Sequence, residues 1–451
     1  MSRKLFGTDG IRGVAGEFPL DSGTVFAIGR ALGHHLAQPK RPPRVVIGQD
    51  TRESSGWIAD AVAAGLISSA SQVASAGVIT TPGIAYLTRE LGFDAGVVIS
   101  ASHNPWADNG IKVFGSDGYK LSDEIELSIE KEIFRLIEEG SVTDARPRSL
   151  PTLPGDDDLR DRYETWLKSK ISNLQIEGEV IVDCANGAAS ACAPELFAMI
   201  GIDADFIHHH PNGKNINDHC GALYPQVVAD EVKNRNAVLG VTFDGDADRA
   251  LFADRYGNVV NGDAVLLMAA RDLQSRNELE AATVVATTMS NMGLEAALSR
   301  SGIRMLRAPV GDKYVLDQMR STGAVLGGEQ SGHIIFSRLA TTGDGLLTAL
   351  MVFDLLSRSG KQLDELVSDL KVFPQVIKNV RVREKKPLEQ IASVAEAIRK
   401  AEQDLASSGR VVVRYSGTES LARVMIEAES QEKMQKHVEA ISGAIQGEIG
   451  A

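Results

Sequence analysis

One stretch decides how the first part of this chain folds: Val98-Ile99-Ser100-Ala101-Ser102-His103-Asn104-Pro105. The apolar, β-branched residues that lead into it predict a buried strand. The strand stops at small and polar residues and then at Asn104-Pro105, a dipeptide that favours a turn. Because open α/β sheets bind ligands outside the carboxyl ends of their strands, the loop that carries Ser102 is predicted to face a ligand.

The residues around Ser102 have two interpretations when they are taken alone. His103 is its neighbour, and Lys112 follows in the segment Asp108-Asn109-Gly110-Ile111-Lys112. Serines, a histidine and a lysine at this spacing are common in ordinary loops. The same residue types also suit phosphoryl transfer, and the rest of the chain supplies the other parts that such a site needs.

Length and composition limit the class of protein. A chain of 451 residues is too long for one hydrophobic core, so we expect three or four domains. A hydrophobic fraction of 43% and a charged fraction of 24% are typical of soluble globular proteins, and no apolar run approaches the ~20 residues of a membrane span. The N-terminus has no apolar core of a secretory signal.

Net charge and cysteine content limit the expected class of binding partner and the expected cellular compartment. A net charge of −13 argues against nucleic acid as the main partner, although a local basic pocket for phosphate remains compatible with it. The 3 cysteines form no CxxC pair. We therefore expect no disulfide framework and no structural zinc, and a cytoplasmic location.

Strands, loops and helices alternate along most of the chain, which indicates α/β layers. Helical periodicity runs from about Ser22 to Ala37. The apolar strands at Val45-Val46-Ile47, Val180-Ile181-Val182 and Val284-Val285-Ala286 each lead into a small or polar turn and then a helix. This weak internal repeat suggests three domains of related architecture. Proline and charged residues between Ser141 and Asp158 indicate a linker.

The second domain carries a predicted metal loop, Asp244-Gly245-Asp246-Ala247-Asp248-Arg249, directly after the apolar strand Val241-Thr242-Phe243. Three carboxylates at alternate positions can converge on one side of a curved loop, and they repel one another unless a cation neutralises them. Hard oxygen ligands favour Mg²⁺. A solvated acidic turn is the alternative. The consecutive histidines His208-His209-His210 are interpreted instead as an exposed polar loop without a metal.

Three further segments carry candidate ligand-binding residues. Arg12 is the only cation in the glycine-rich opening Phe6-Gly7-Thr8-Asp9-Gly10-Ile11-Arg12-Gly13, where it could fork onto a phosphate. Glu329, Ser331 and His333 alternate in Gly328-Glu329-Gln330-Ser331-Gly332-His333, so they can share one face and bind sugar hydroxyls. Near the C-terminus, the last set could form a phosphate cradle that consists of Arg414, Ser416, Gly417, Thr418 and Arg423. A plain turn or hairpin is the alternative for each segment.

Taken in their order along the chain, from residue 6 to residue 426, these five motifs resemble those of the α-D-phosphohexomutase family. The resemblance implies three related α/β domains and a smaller α+β C-terminal domain around a central cleft. We place them at residues 1–150, 156–254, 255–370 and 372–451. Ser420 and Ala422 depart from the family pattern, which usually has proline and a larger apolar residue there. Gln330 and the segment Thr341-Thr342-Gly343-Asp344-Gly345 resemble the family branch that acts on glucosamine phosphates.

The resemblance also implies a mechanism. Ser102 carries a phosphoryl group, and Mg²⁺ links that group to Asp244, Asp246 and Asp248. Glucosamine 6-phosphate and glucosamine 1-phosphate interconvert through a 1,6-bisphosphate sugar, with a trace of glucosamine or glucose 1,6-bisphosphate as activator, on the route to UDP-N-acetylglucosamine. The candidates for charge stabilisation or proton transfer are Arg12, His103, Lys112, Arg249 and His333, and their roles stay unranked.

The expected partner is a small phosphosugar, with neither nucleic acid nor membrane. A homodimer, and a kinase acting on Ser102, are partners that the resemblance allows. Two alternatives to the amino-sugar activity remain open. One is a mutase for glucose or mannose phosphates. The other is a catalytically silent phosphosugar-binding regulatory protein on the same scaffold.

Overall fold

The computed structural model describes residues 4–7, 9–140, 155–172, 174–416 and 420–451. Most of the predicted linker, and Gly417 and Thr418 of the predicted phosphate cradle, lie outside these residues. The chain forms two compact units, one of Met1–Thr288 with Arg307–Leu366 and one of Met289–Leu306 with Val367–Ala451. Among the described helices, none is both long and apolar enough to cross a membrane.

The first domain is a six-stranded sheet in the order β1-β2-β6-β5-β3-β4. Its centre is parallel, because β3 pairs with β4 and with β5, whereas β6 and β2 are antiparallel additions. Helices α1, α2 and α4 share one hydrophobic cluster with the sheet, and α3 contacts β3 and β5. The elements are β1 Phe6–Gly7, β2 Gly10–Val14, α1 Ser22–Leu36, β3 Arg44–Gln49, α2 Ser55–Ser68, β4 Gln72–Val78, α3 Thr81–Glu90, β5 Ala95–Ile99, β6 Asp108–Gly115 and α4 Asp123–Glu138.

The second domain repeats this arrangement with five strands in the order β11-β10-β9-β7-β8. Strand β7 is parallel to β8 and β9, and the hairpin of β10 and β11 extends the sheet beyond residue 254, at which we placed the predicted boundary. The elements are α5 Asp157–Lys168, β7 Val180–Asp183, α6 Ala189–Ile200, β8 Ala204–Ile207, α7 Pro225–Arg235, β9 Leu239–Phe243, β10 Ala250–Asp254 and β11 Val259–Val260.

The third domain contains a parallel pair, β12 and β14, extended by β15 in antiparallel pairing. The loop between β14 and β15 holds Glu329 to His333. The elements between residues 262 and 366 are α8 Gly262–Ser275, β12 Thr283–Thr287, α9 Met292–Arg300, β13 Arg304–Ala308, α10 Asp312–Thr322, β14 Leu326–Gly328, β15 Ile334–Phe336, α11 Gly345–Ser359 and α12 Leu363–Leu366. Of these, α9 belongs to the second compact unit.

The C-terminal unit is a three-stranded antiparallel sheet in the order β16-β18-β17, with its core formed against two helices. Its elements are β16 Gln375–Arg381, α13 Ala392–Leu405, β17 Gly409–Tyr415, β18 Leu421–Ala428 and α14 Gln431–Ile449. The segment around α9 is joined to it by the buried Glu427, whose Oε1 accepts the Met292 N–H at 2.9 Å. The unit is therefore discontinuous in sequence.

A buried carboxyl group in α5 makes stability depend on pH. The Glu164 side chain is fully buried, and Arg160 Nε lies 3.6 Å from its Oε1. Burial raises the pKa of Glu164 to about 8. The native state therefore holds a proton that the unfolded chain loses near the ordinary pKa of about 4.3. This contribution to stability is complete below about pH 4 and is lost as the pH rises through the folded-state pKa.

We predict that Glu164→Gln, which keeps the shape and removes the titration, flattens the decline in unfolding free energy between pH 5 and pH 9. The slope removed is at most about 1.4 kcal/mol per pH unit. Chemical denaturation at several pH values measures it. The control is Glu138→Gln, at an exposed position of helix α4. Identical pH profiles for Glu164→Gln and the unaltered protein would contradict the prediction.

Candidate active site

The serine loop, Ser100–Pro105, follows β5 and is held in an unusual conformation. Ser102 has φ 53°, in the left-handed region, and its residue surface is only 2% exposed. A residue with a Cβ pays roughly 1–2 kcal/mol for this conformation, so neighbouring groups must fix it. The Ser102 N–H donates to Ser100 Oγ at 3.0 Å, and the Ser102 carbonyl accepts from Arg52 Nη2 and Asn217 Nδ2, each at 3.0 Å.

A buried ion pair supports this loop. Arg52 and Asp50 follow β3, and their side chains form a buried salt bridge. Asp50 also accepts the hydroxyls of Ser100 at 2.6 Å and Ser55 at 2.7 Å, while Arg52 Nη2 donates to the Asn104 carbonyl at 2.6 Å. The sequence predicts a small or polar turn after Val45-Val46-Ile47 but gives its residues no role. They are positioning residues for Ser102.

The metal loop faces Ser102 from the second domain, and its backbone explains why the carboxylates converge. The carbonyls of residues 245, 246 and 247 accept N–H groups from Ala188, Thr81 and Gly345, which begin or immediately precede three different helices. With the carbonyls turned outward, the side chains point to the other side. A Cβ at Gly245 would lie 2.4 Å from the Ser102 carbonyl oxygen, so only glycine permits this approach.

The three predicted aspartates do come together, with one oxygen of each within 4.8 Å of the others. Ser102 Oγ donates to Asp244 Oδ2 at 2.5 Å. Burial, together with Asp248 and Asp246, raises the pKa of Asp244 well above its ordinary value. Burial acts the same way on Asp248, but His333 and Lys112 outweigh it and lower the pKa of Asp248. The cluster is therefore short of positive charge at Asp244, beside the Ser102 hydroxyl.

Lys112 on β6 lies inside this cluster. Its Nζ is 2.8 Å from Asp246, 3.0 Å from Asp9 and 3.8 Å from Asp248. Burial alone would lower the pKa of this ammonium, but the three carboxylates outweigh burial and raise it. Lys112 is thus a fixed cation, and it contributes charge to the site.

His333 joins the cluster from the third domain. Its Nδ1 is 3.6 Å from Asp248 and its Nε2 is 3.8 Å from Asp312. Burial lowers the pKa of the ring, but Asp248 and the other carboxylates outweigh burial and raise it to about 9. The Gly343 N–H points at Nε2 from 3.1 Å, a bond that only the neutral ring accepts and that protonation would break.

Sequence reasoning missed a second set of charges. Lys120 pairs with Asp9 and, at 2.5 Å, with Asp312. Asp9 also pairs with Arg12 on β2. Lys120 therefore links the N-terminal segment to the start of α10, and it holds Asp9 toward Lys112. Asp9 and Arg12 are close in sequence, but Lys120 and Asp312 lie far from them and from each other, so no spacing in the sequence signals the network.

Several predicted residues of the first unit line one cavity of about 360 Å³. The cavity is lined by Arg12, His103, Arg249, Glu329 and His333 among others. His103 Nδ1 lies 3.3 Å from Ser102 Oγ, and burial, with Arg249 and Arg12 nearby, lowers its pKa. A neutral imidazole therefore faces the hydroxyl.

Glu329 and Ser331 are oriented by their own loop. Glu329 Oε1 accepts the Gly311 N–H at 3.1 Å, and Ser331 Oγ donates to Glu329 Oε2 at 3.2 Å. Gln330 points the other way, where its amide donates to Asp263 at the start of α8 at 3.1 Å. Gln330 therefore fixes the loop from outside.

The predicted phosphate cradle lies in the C-terminal unit. Arg414 and Arg423 are cross-strand partners on β17 and β18. The Ser416 carbonyl accepts Lys385 Nζ at 2.6 Å. Two positively charged side chains at directly opposite positions repel each other. An anion bound between the two guanidinium groups would relieve this repulsion.

The oxygen atoms of the carboxylate cluster suit a hard divalent cation as its ligands. Asp246 Oδ1 and Asp248 Oδ1 are buried and accept no hydrogen bond from the residues that the structure describes. Asp244 provides a third oxygen, and Ser102 Oγ lies beside it. Three carboxylate oxygens and a hydroxyl or phosphoryl oxygen are the ligand types that Mg²⁺ prefers.

Comparison with known proteins agrees with this fold. Models of the phosphoglucomutase/phosphomannomutase family match residues 3–139, 161–257 and 261–373 as α/β/α domains I, II and III, and residues 377–444 as the C-terminal domain. The chain belongs to the phosphoglucomutase/phosphomannomutase family, the α-D-phosphohexomutases. This confirms the predicted fold class of three α/β domains and a C-terminal domain.

Alignments with individual relatives cover nearly the whole chain. A phosphoglucosamine mutase from Koribacter versatilis is 63% identical over 452 residues, which cover 99% of this chain and 98% of the relative. Another from Solibacter usitatus is 53% identical over 451 residues, 100% of each chain. The solved structure of a family protein from Burkholderia thailandensis has a TM-score of 0.76 at 24% identity, and the match covers 98% of this chain and 97% of that one.

We predict that Asn217→Gly lowers kcat by about 10- to 100-fold, because the serine loop loses an amide that holds its backbone. Glycine tolerates the φ of 56° at this position, so the change adds no backbone strain. Steady-state kinetics measure the effect. Asn236→Gly is the matched control, because Asn236 has the same φ of 56° at the exposed end of α7. Equal turnover in both variants would rule out this role for Asn217.

Proposed function

We propose that this enzyme acts as a phosphoglucosamine mutase, an isomerase that interconverts glucosamine 6-phosphate and glucosamine 1-phosphate. The observation that carries the proposal is the contact of Ser102 Oγ with Asp244, 2.5 Å apart, inside the three-aspartate loop. A hydroxyl beside carboxylates that can hold a divalent cation suits reversible phosphorylation, because the cation would offset the charge of the phosphoryl group. The high identity to two full-length phosphoglucosamine mutases supports the amino sugar as substrate.

The chemistry assigned to this chain is phosphoryl transfer to and from Ser102. In one direction the O1 hydroxyl of glucosamine 6-phosphate attacks the phosphorus on Ser102. The new P–O bond forms as the P–Oγ bond breaks, and the sugar becomes a 1,6-bisphosphate. The sugar then reorients, its 6-phosphoryl group returns to Ser102, and glucosamine 1-phosphate leaves. The hydroxyl proton lost in the first transfer is returned to O6 in the second, so atoms balance over the cycle.

The residues of the cluster divide this work. Asp244, Asp246 and Asp248, with the oxygen on Ser102, would hold Mg²⁺, which when bound neutralises charge on the transferred group. Lys112 and Arg249 keep positive charge beside the aspartates. His103, whose neutral ring faces Oγ, and His333 remain the candidates for moving the hydroxyl proton. Glu329 and Ser331 would accept and donate bonds to sugar hydroxyls.

Other roles stay predictions of the sequence resemblance. Arg414, Ser416, Gly417, Thr418 and Arg423 would bind the phosphate that does not react. A homodimer and a kinase acting on Ser102 also remain predictions. We place the enzyme in the cytoplasm, on the route to UDP-N-acetylglucosamine, and its three free, buried cysteines are compatible with a reducing compartment.

We predict that Ser102→Gly and Ser102→Ala each lower turnover by about 10³-fold or more, because the phosphoryl acceptor is lost. Glycine fits the left-handed φ without strain, so the Gly variant separates chemistry from folding. Ser116→Ala, an exposed loop position, is the control. Circular dichroism and thermal unfolding check the fold. Full activity in the Gly variant would rule out the phosphoserine mechanism.

The substrate is tested by a coupled assay with Mg²⁺ and a catalytic trace of sugar 1,6-bisphosphate. We expect kcat/KM for glucosamine 6-phosphate to exceed that for glucose 1-phosphate and mannose 1-phosphate by orders of magnitude. Preference for glucose or mannose would keep the mechanism and overturn the substrate. No turnover on any of them, with Ser102 phosphorylated by mass spectrometry, would favour the regulatory phosphosugar-binding alternative.

A further inference from the structure

A second group of metal-ligand side chains lies in the second domain, outside the serine and aspartate site. Asp183 ends β7, His208 follows β8, and Cys220 lies in the loop before α7. One donor atom of each residue lies within 4.8 Å of the others. The sequence indicated an exposed polar loop without a metal at these three consecutive histidines, and the structure leads to a different interpretation of His208. Its Nδ1 lies 3.1 Å from Asp183 Oδ1.

We propose that Asp183, His208 and Cys220 bind one thiophilic divalent cation of the Zn²⁺ type, with water as the fourth ligand. A thiolate, an imidazole and a carboxylate select Zn²⁺ over Mg²⁺, which prefers oxygen ligands only. With metal–ligand bonds of about 2.0–2.3 Å, a tetrahedral Zn²⁺ separates its ligand atoms by roughly 3.3–3.7 Å. His208 Nδ1 and Asp183 Oδ1 are 3.1 Å apart, and all three donor atoms lie within 4.8 Å of one another. A movement of about 1 Å or less therefore brings them to tetrahedral spacing.

The charges balance when the cation binds. The thiol of Cys220 loses its proton to solvent and becomes a thiolate. The ring of His208 keeps one proton, which moves from Nδ1 to Nε2 as Nδ1 binds the cation. One thiolate and one carboxylate then neutralise the dication, so the buried centre carries no net charge. The histidine side chain is 33% exposed and provides the entry path.

The carboxylate is already held in place for this role. Asp183 accepts the N–H groups of Ala185 at 2.9 Å and Gly221 at 2.8 Å, and the Thr242 hydroxyl lies 3.2 Å away. Side chains that bind metals are commonly oriented by hydrogen bonds of this kind from groups that do not touch the metal. Only the bond from His208 Nδ1 has to be exchanged for the cation.

The proposed site also has a consequence for Ser102. Cys220 and Asn217 belong to one loop, and the Asn217 N–H donates to the Ala185 carbonyl at 2.9 Å, next to Asp183. The Asn217 side chain holds the carbonyls of Ser102 and Asn104. A cation at Cys220 would stiffen the loop that supports the serine.

The test uses the full-length protein in saturating Mg²⁺, which occupies the oxygen-ligand site, and titrates it with Co²⁺ as a spectroscopic substitute for Zn²⁺. We expect a thiolate-to-cobalt charge-transfer band in the near ultraviolet that saturates at one equivalent and disappears when Zn²⁺ is added. Cys220→Ser should abolish the band. Cys192→Ala, at a buried cysteine within helix α6, should leave it unchanged.

Absence of the band in the unaltered protein, or its survival in Cys220→Ser, would overturn the proposal. If Cys220→Ser fails to fold, His208→Gln decides, because its side chain is partly exposed and the change is mild. We expect that variant to bind Co²⁺ about tenfold or more weakly, and unchanged affinity would overturn the proposal. The readout is absorbance, so it is independent of mutase turnover.

Discussion

The structure of the first unit depends on one electrostatic constraint, the concentration of negative charge in a buried site. Carboxylates from the first, second and third domains meet where solvent screens them little, and an unpaired charge buried there would cost several kcal/mol. Lys112 is buried and Lys120 is half-buried among these carboxylates. Removing either ammonium would leave an uncompensated charge. The site is therefore assembled by opposite charges that different domains contribute.

The sequence predicted the parts of this site that are local. The strand before Ser102 and the alternating aspartates from Asp244 to Asp248 can be read from spacing alone, and the aspartates do converge. The supporting residues could not be read in this way. Arg52, Asn217 and Lys120 act through partners far along the chain, and a pattern of residues shows periodicity but not pairing.

The loop predicted to bind sugar hydroxyls shows how one residue can fix the orientation of its neighbours. Alternation predicts that Glu329 and Ser331 share one face, and this places Gln330 on the other. The Gln330 amide bonds to Asp263 and its carbonyl to the Gly262 N–H, so one residue attaches the loop to α8 twice. The position of the loop therefore depends on Gln330.

The discontinuous C-terminal unit has a consequence for biosynthesis. The segment Met289–Leu306 leaves the ribosome long before strand β18 is made. The Asn291 side chain hydrogen-bonds to the main-chain N–H and C=O of Phe373, and the Met292 N–H donates to Glu427. These bonds therefore cannot form until Phe373 and Glu427 have been synthesised. Domains usually fold in the order of synthesis. Here the middle of the chain completes its folding only when the last residues have emerged.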